Sequence, residues 1–289
     1  MKYRNAAALR QALEERLRVQ ALETGMPLMR LRKMVAFERL LARLVARQDD
    51  VWILKGGFAL ELRLGIRART TNDLDLLSAI PLAAEQMHQA ILQAARQDFQ
   101  DGFQFEVGEP SNLNLPRFPV HTLLDGRTFE NFHLDVGTGD PIVGSLEYIT
   151  TPNLLEFADI PPLRVPCYPL ARQLAEKFHA YTLFYKSGES TRVKDWVDML
   201  LIAQAGKMSA KRLSNSIHAT FNARWTHSIP DKLPLPPADL TRPFKKIASE
   251  VQLGHDNLAD ANRALDQFLA PILAGQARGQ WNPSAWRWE

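Results

Sequence analysis

Two aspartates, Asp73 and Asp75, stand two residues apart in the stretch Asp73-Leu74-Asp75-Leu76-Leu77. On an extended chain that spacing turns both carboxylates to one face and the intervening leucines to the other. Held side by side the carboxylates repel, and the usual remedies are protonation of one or a shared cation. A hard divalent ion with oxygen ligands, most simply magnesium, suits the pair. A second alternating stretch, Phe132-His133-Leu134-Asp135-Val136, carries Asp135 on its polar face. If the two strands are neighbours, three carboxylates share one sheet face. That is the pattern of a two-metal site, which activates an attacking oxygen and steadies a leaving pyrophosphate. Upstream, Gly56-Gly57 sits between an apolar run and a helical pattern. Adjacent glycines there let the backbone approach a phosphate, and the helix that follows offers amides and a positive dipole end.

These residues need elements to position them. Val51-Trp52-Ile53-Leu54 reads as a buried strand running into the Lys55-Gly56-Gly57 turn. Helical spacing follows over residues 58–64, with Gly65 placed to end it. Before this stretch, residues 5–47 predict two helices broken at Met26-Pro27, the second with several arginines read as its solvated side. Residues 81–96 predict a helix with proline in its first turn, and residues 103–107, 120–124 and 129–136 predict strands. Beyond Pro169 the pattern is helical: 171–184, 193–205, 209–221, 240–251 and 258–273, with a proline-rich connection over 229–238. The expected fold class is α+β, with a mixed domain that carries the aspartates over residues 1–165 and a helical domain over 166–289.

Composition narrows the class further. The chain has 289 residues, 46% hydrophobic and 23% charged, the balance of an ordinary globular protein rather than a disordered one. A formal net charge of +3 permits a polyanionic partner but falls short of a dedicated DNA-binding module. The single cysteine, Cys167, excludes an internal disulfide and a multi-cysteine zinc site. No apolar run approaches the roughly 18 residues that cross a bilayer, and the glutamates of the first helix exclude a signal peptide core. The expected location is cytoplasmic, with no membrane partner.

Four segments together resemble a known family. Lys55-Gly56-Gly57-Phe58-Ala59-Leu60 and Arg69-Thr70-Thr71-Asn72-Asp73-Leu74-Asp75-Leu76 resemble the opening motif of AbiEii/AbiGii-type toxins, MenT-like members of the polymerase-beta-like nucleotidyltransferases. Glu176-Lys177-Phe178-His179-Ala180 resembles the lysine motif of that family, and Arg192-Val193-Lys194-Asp195-Trp196-Val197-Asp198 its final motif. The resemblance implies a nucleotidyltransferase that uses Mg2+ (or Mn2+) and an NTP. It implies metal binding by Asp73 and Asp75, with Asp135 assigned by its strand pattern, and catalytic roles for Asp73, Asp75, Lys177 and Asp195. Nucleotide binding falls to Lys55, Gly56, Gly57, Arg69, Thr71, Lys177, Arg192 and Lys194, with Asp198 as companion to Asp195. The implied acceptor is RNA, specifically the 3' end of tRNA, and the implied context is a toxin-antitoxin or phage-defence pair with a cognate antitoxin. Two departures stand out: Gly57 replaces the serine usual after the first glycine, and the loop from Gly65 to Asn72 is longer than in the simplest relatives.

Other readings stay open at this level. The same chemistry fits a small-molecule or protein hydroxyl as acceptor, and the fold fits a non-catalytic NTP-binding scaffold. Lys194 and Asp198, four apart, suit an ordinary helical pair. Asp195 and Asp198, three apart, need something cationic nearby, for which Arg192, Lys177 and a bound nucleotide complex are candidates. His133 and His179 read as packed residues rather than ligands. Trp281, Trp286 and Trp288, with Arg278 and Arg287 among them, suit base stacking and packing onto the core equally well.

Overall fold

The apolar spacing near the N-terminus becomes two helices, α1 (Ala6–Thr24) and α2 (Leu28–Arg47), in the computed structural model of the chain. Asn5 caps α1 by accepting from the Ala8 amide at 2.8 Å, and Gly25, left-handed at φ 71°, ends it. The structure describes residues 2–47, 51–111, 115–139, 142, 144–183, 192–255 and 257–289. The chain divides into two units: Met1–Arg63, Thr70–Gly139 and Glu147–Cys167 form the first, and Leu64–Arg69, Asp140–Leu146 and Tyr168–Glu289 the second.

The first unit is built on a mixed seven-stranded sheet. Its strands are β1 (Trp52–Lys55), β2 (Asp73–Ser78), β3 (Phe103–Val107), β4 (Arg117–Leu124), β5 (Arg127–Thr138), β6 (Glu147–Thr150) and β7 (Arg164–Cys167), in the order β3-β4-β5-β2-β1-β7-β6. The pairs β2/β5 and β1/β7 are parallel and the rest antiparallel. Helix α3 (Gly56–Leu64) follows β1, and α4 (Ala84–Ala95) precedes β3. Leu74, Leu76, Leu134 and Val136 are wholly buried in the same core as Leu40 and Phe37 of α2. Phe37 meets Phe132 and Phe58 edge to face, with ring centroids 4.8 and 4.9 Å away. That packing fixes which side of β2 and β5 faces the core, and so turns the aspartates to the opposite side.

The arginines of α2 differ from expectation. Arg30, Arg39 and Arg43 are buried rather than solvated. Arg30 pairs with Glu61 of α3, while Arg39 and Arg43 both reach Asp101, Arg43 through Nη2 at 2.7 Å and Nη1 at 3.0 Å. Sequence spacing could not show this, because the acids that draw the guanidinium groups inward lie more than thirty residues away. Element boundaries also move, and two strands are new. Helix α4 starts at Ala84, so Pro81 precedes it; β4 begins at Arg117; and β6 and β7 were not foreseen. The last two are four residues long, and Pro166 lies inside β7, so neither shows a clear period.

The second unit is helical: α5 (Leu170–Thr182), α6 (Val193–Ala205), α7 (Ala210–Arg224), α8 (Thr241–Glu250) and α9 (Leu258–Leu273). Phe184, placed by the spacing in the first of these, lies outside the described residues. A short hairpin, β8 (Trp281–Asn282) with β9 (Arg287–Trp288), closes the unit. Its tryptophans pack: the indole N–H groups of Trp281, Trp286 and Trp288 donate to the carbonyls of Ala203, Ala264 and Phe268. With those donors satisfied and Trp288 stacked on Phe268, packing onto the helices is the reading that holds. Cys167 is buried, as expected. Among the described residues no helix is long and apolar enough to cross a membrane.

Burial, the largest single effect, pushes the carboxyl of Asp101 up, and the combined pull of Arg43, Arg39 and the Phe103 amide brings it below its ordinary value. A depressed carboxylate contributes stability that is present above its unfolded pKa and lost as pH falls through the folded one. Asp101→Ala is expected to cost about 3–5 kcal/mol in chemical denaturation at neutral pH, because it strands two buried cations. A loss below about 1 kcal/mol would mean that the pair is solvated in effect.

Candidate active site

Strand register assembles the carboxylates. In the β2/β5 pair Asp73 lies beside His133 and Asp75 beside Asp135. Lys55 of β1 is the register partner of Asp75, and Arg117 of β4 is that of Asp135. One row across four strands therefore reads Lys55, Asp75, Asp135, Arg117, two like charges bracketed by cations. Arg117 donates through Nη1 to Asp135 Oδ2 and through Nη2 to Asp73 Oδ1, each at 2.7 Å. Gly137, two residues past Asp135 on β5, leaves room for the Lys55 amine, which a Cβ at that position would meet at 3.1 Å. His133 is half exposed with Nδ1 3.7 Å from Asp73, a neighbour of the site rather than a buried ligand.

The carboxyl of Asp135 is pushed up to about 6, first by burial and then by the nearby charge of Asp75, against the opposing pull of Arg117. Its Oδ1 is buried and, among the described residues, accepts no hydrogen bond. An orphaned buried oxygen beside two further carboxylates is a donor set that fits a hard divalent cation. Among the described residues, however, no three acidic or histidine side chains form a ready-made cage.

The glycine pair does something more specific than expected. Gly56 is left-handed at φ 65°, and a Cβ there would lie 2.0 Å from Asp75 Oδ2. A Cβ on Gly57 would lie 2.6 Å from Thr71 Oγ1. The space that glycine opens is thus taken by Asp75 and by Thr71, whose hydroxyl also donates to the Asp73 carbonyl at 3.2 Å. The Gly57 amide donates to Asp75 Oδ2 at 3.3 Å, so the first turn of α3 carries the carboxylate at its positive end.

A second constellation lies in the helical unit. Lys177 of α5 is buried, with its Nζ 2.6 Å from Asp198 and 3.2 Å from Asp195 of α6. Arg69 grips Asp198 through Nε and Nη2, both at 3.0 Å, and Arg192 reaches Asp195 at 3.0 Å. Burial works against the Lys177 ammonium, but Asp198 and Asp195 outweigh it and hold its pKa above the ordinary value. Asp195 shows the converse: burial raises it, and Lys177 and Arg192 bring it below the usual carboxylate range. The like-charged pair on α6 thus has three cations, of which sequence spacing pointed to Lys177 and Arg192 and missed Arg69. The alternative pairing with Lys194 is not adopted; Asp198 is buried on Arg69 and Lys177 while Lys194 is exposed. His179 is buried, its Nε2 2.8 Å from Thr226 Oγ1.

With this geometry in place, comparison with known proteins is decisive on lineage. The family model for the nucleotidyl transferase AbiEii toxin of type IV toxin-antitoxin systems matches residues 39–282, a span containing both constellations. The chain belongs to this family. An AbiEii nucleotidyltransferase is therefore an enzyme that moves a nucleotidyl group, and its fold has a solved counterpart. MenT4, a nucleotidyltransferase toxin of Mycobacterium tuberculosis, is similar over 92% of this chain and 99% of its own at 15% identity, with a TM-score of 0.54. JHP933 of Helicobacter pylori aligns over 84% of this chain and 98% of its own, at 15% identity and a TM-score of 0.39. No curated protein sequence matches the chain.

Arg117 is the residue of the AbiEii carboxylate row that sequence reading missed. The only signal for it was its place just before a strand-like run, and the predicted strand stopped three residues short.

Two outcomes test this geometry. Gly56→Ala is expected to cost about 2 kcal/mol or more, since left-handed alanine is strained and its Cβ collides with Asp75; thermal unfolding no different from wild type would refute the close approach. In metal-free protein, carbon-detected NMR is expected to place the Asp135 midpoint near 6 and to move it down in Asp75→Asn. As the folded pKa is the raised one, this group favours the fold at low pH, and that contribution fades as pH climbs towards 6. A midpoint unmoved by Asp75→Asn would mean that burial alone sets it.

Proposed function

We propose that this AbiEii toxin transfers a nucleotide from an NTP to an RNA acceptor, the 3' end of tRNA, with Mg2+ or Mn2+ held by Asp73, Asp75 and Asp135. The observation that carries the reading is the row of carboxylates facing one way across β2 and β5 beside the glycine turn that opens α3. An ion bound there would draw charge from the reacting phosphoryl group and the leaving pyrophosphate. In the transfer, an acceptor hydroxyl oxygen attacks the α-phosphorus, the bond to pyrophosphate breaks, and the hydroxyl proton is released.

The chain's own groups divide the work. Asp75, fixed by the Gly57 amide, and Asp135, with a buried oxygen unbonded, present donors that need no large rearrangement of backbone. Lys55 lies over Gly137 beside the carboxylates and supplies positive charge for a phosphate. In the helical unit, Lys177, Arg69 and Arg192 outnumber Asp195 and Asp198, an excess of charge that suits a triphosphate. The family's toxin-antitoxin setting supports a cognate antitoxin as partner. A tRNA acceptor is supported by the resemblance of the lysine and final motifs to those of the toxins, and by a net positive chain.

The test is incubation of purified protein with Mg2+, each labelled NTP in turn and total tRNA, alongside Asp75→Asn. Label in tRNA from one or more NTPs is expected, reduced at least about a hundredfold in the variant, the scale of losing a group that acts on the reacting charge. Label appearing instead in a small molecule or in protein would replace the acceptor. Saturable NTP binding with no label anywhere would leave a scaffold.

A further inference from the structure

Arg117 occupies an unusual position for an active-site cation. Its guanidinium joins carboxylates from two strands, Asp73 of β2 and Asp135 of β5, from a third strand, β4, at 2.7 Å each. Those are the same acids that the functional reading above assigns to a divalent ion. We propose that Arg117 is the resident counter-ion of the metal-free site, and that a divalent cation loads by exchange with it, so that Arg117 sets the cation concentration at which the enzyme becomes active. The proposal rests on the metal role of Asp73, Asp75 and Asp135.

Three features support exchange over a permanent structural pairing. The first is incomplete satisfaction. Arg117 takes Asp73 Oδ1 and Asp135 Oδ2 but leaves Asp135 Oδ1 buried without a partner. A structural arginine in the same unit looks different: Arg43 is fully buried and donates to Asp101 and to the carbonyls of Gln97, Arg39 and Phe103. Among the described residues the Arg117 side chain donates to no carbonyl, and it is 38% exposed. It can turn to water without opening the core.

Charge is the second feature. Among the described residues, Lys55 and Arg117 give two positive charges to the three carboxylates Asp73, Asp75 and Asp135, so the cluster stays short of neutrality with both cations in place. A divalent ion in place of the guanidinium would close that gap beside Lys55. The third feature is occupancy of the donors. The acids do not form a ready-made cage among the described residues, and two of them are already engaged by one guanidinium fork. A cation therefore has to compete for both oxygens. Arginine suits the task because its planar fork spans two acids at once.

The experiment uses the full-length protein and Mn2+ alone, with free Mn2+ followed by electron paramagnetic resonance and thermal unfolding recorded in chelator and in Mn2+. Wild type, Arg117→Gln, Arg117→Lys and Asp135→Asn are compared. Arg117→Gln is expected to unfold several degrees lower in chelator, to regain that loss in Mn2+, and to bind Mn2+ about tenfold more tightly, the scale of charged hydrogen bonds no longer competing. Arg117→Lys, which keeps charge but not the fork, is expected to fall between. Should Arg117→Gln fail to fold in chelator, Arg117→Lys decides: tighter Mn2+ binding than wild type supports exchange, and equal or weaker binding overturns it. Mn2+ binding that is lost in Asp135→Asn but unchanged or weakened in both Arg117 variants overturns the exchange and leaves the metal reading standing. Mn2+ binding absent from wild type, or indifferent to Asp135→Asn, overturns both.

Discussion

Parallel pairing of β2 with β5 is the constraint on which the carboxylate site depends. It brings Asp75 level with Asp135 on strands about 4.8 Å apart, a spacing at which like charges repel unless something cationic intervenes. Sheet order supplies the cations, since β1 lies beyond β2 and β4 beyond β5, and their register partners are Lys55 and Arg117. The register itself is held from behind. Leu74, Leu76, Leu134 and Val136 are buried in the core shared with α2, and a slip of one residue would drive a carboxylate into it. Hydrophobic packing on one side of the sheet is therefore what enforces charge crowding on the other.

The glycine turn belongs to the same arrangement. Because Gly56 is left-handed and bears no Cβ, Asp75 approaches the first turn of α3 closely enough to accept from the Gly57 amide. Thr71 fills the space beside Gly57 and ties the turn to the start of β2. The opening motif of the family is thus a packing unit in this protein as well as a candidate phosphate cradle. A serine after the first glycine would need Thr71 to move, which gives a local physical reason for the departure at Gly57.

The helical unit solves a similar problem by different means. Asp195 and Asp198 lie one turn apart on α6, and three cations from separate stretches of chain offset them. Full burial of Asp198 is tolerable because Arg69 grips it at two points while Lys177 closes from α5. Around this network the unit is ordinary: amphipathic helices, and a terminal hairpin whose tryptophans spend their N–H groups on helix carbonyls.

Much of this was legible in the linear order of residues. Alternation in β2 and β5 showed which acids share a face, helical spacing located most helices within a few residues, and four motifs in order pointed to the family, because each of these signals is local or a fixed sequence of local signals. What failed was non-local. Arg30, Arg39 and Arg43 looked like the wet side of a helix, and only the fold brings Glu61 and Asp101 to them. Two four-residue strands carried too few residues to show a period. Arg117 and Arg69 were invisible as partners of Asp135 and Asp198 because ion pairing depends on distance in space, to which sequence separation is no guide. The sequence by itself determined that acids suited to nucleotidyl transfer exist and on which faces of their strands they lie. Tertiary structure decided which cations hold them, since only sheet order and helix packing bring charges from distant stretches of chain within bonding distance.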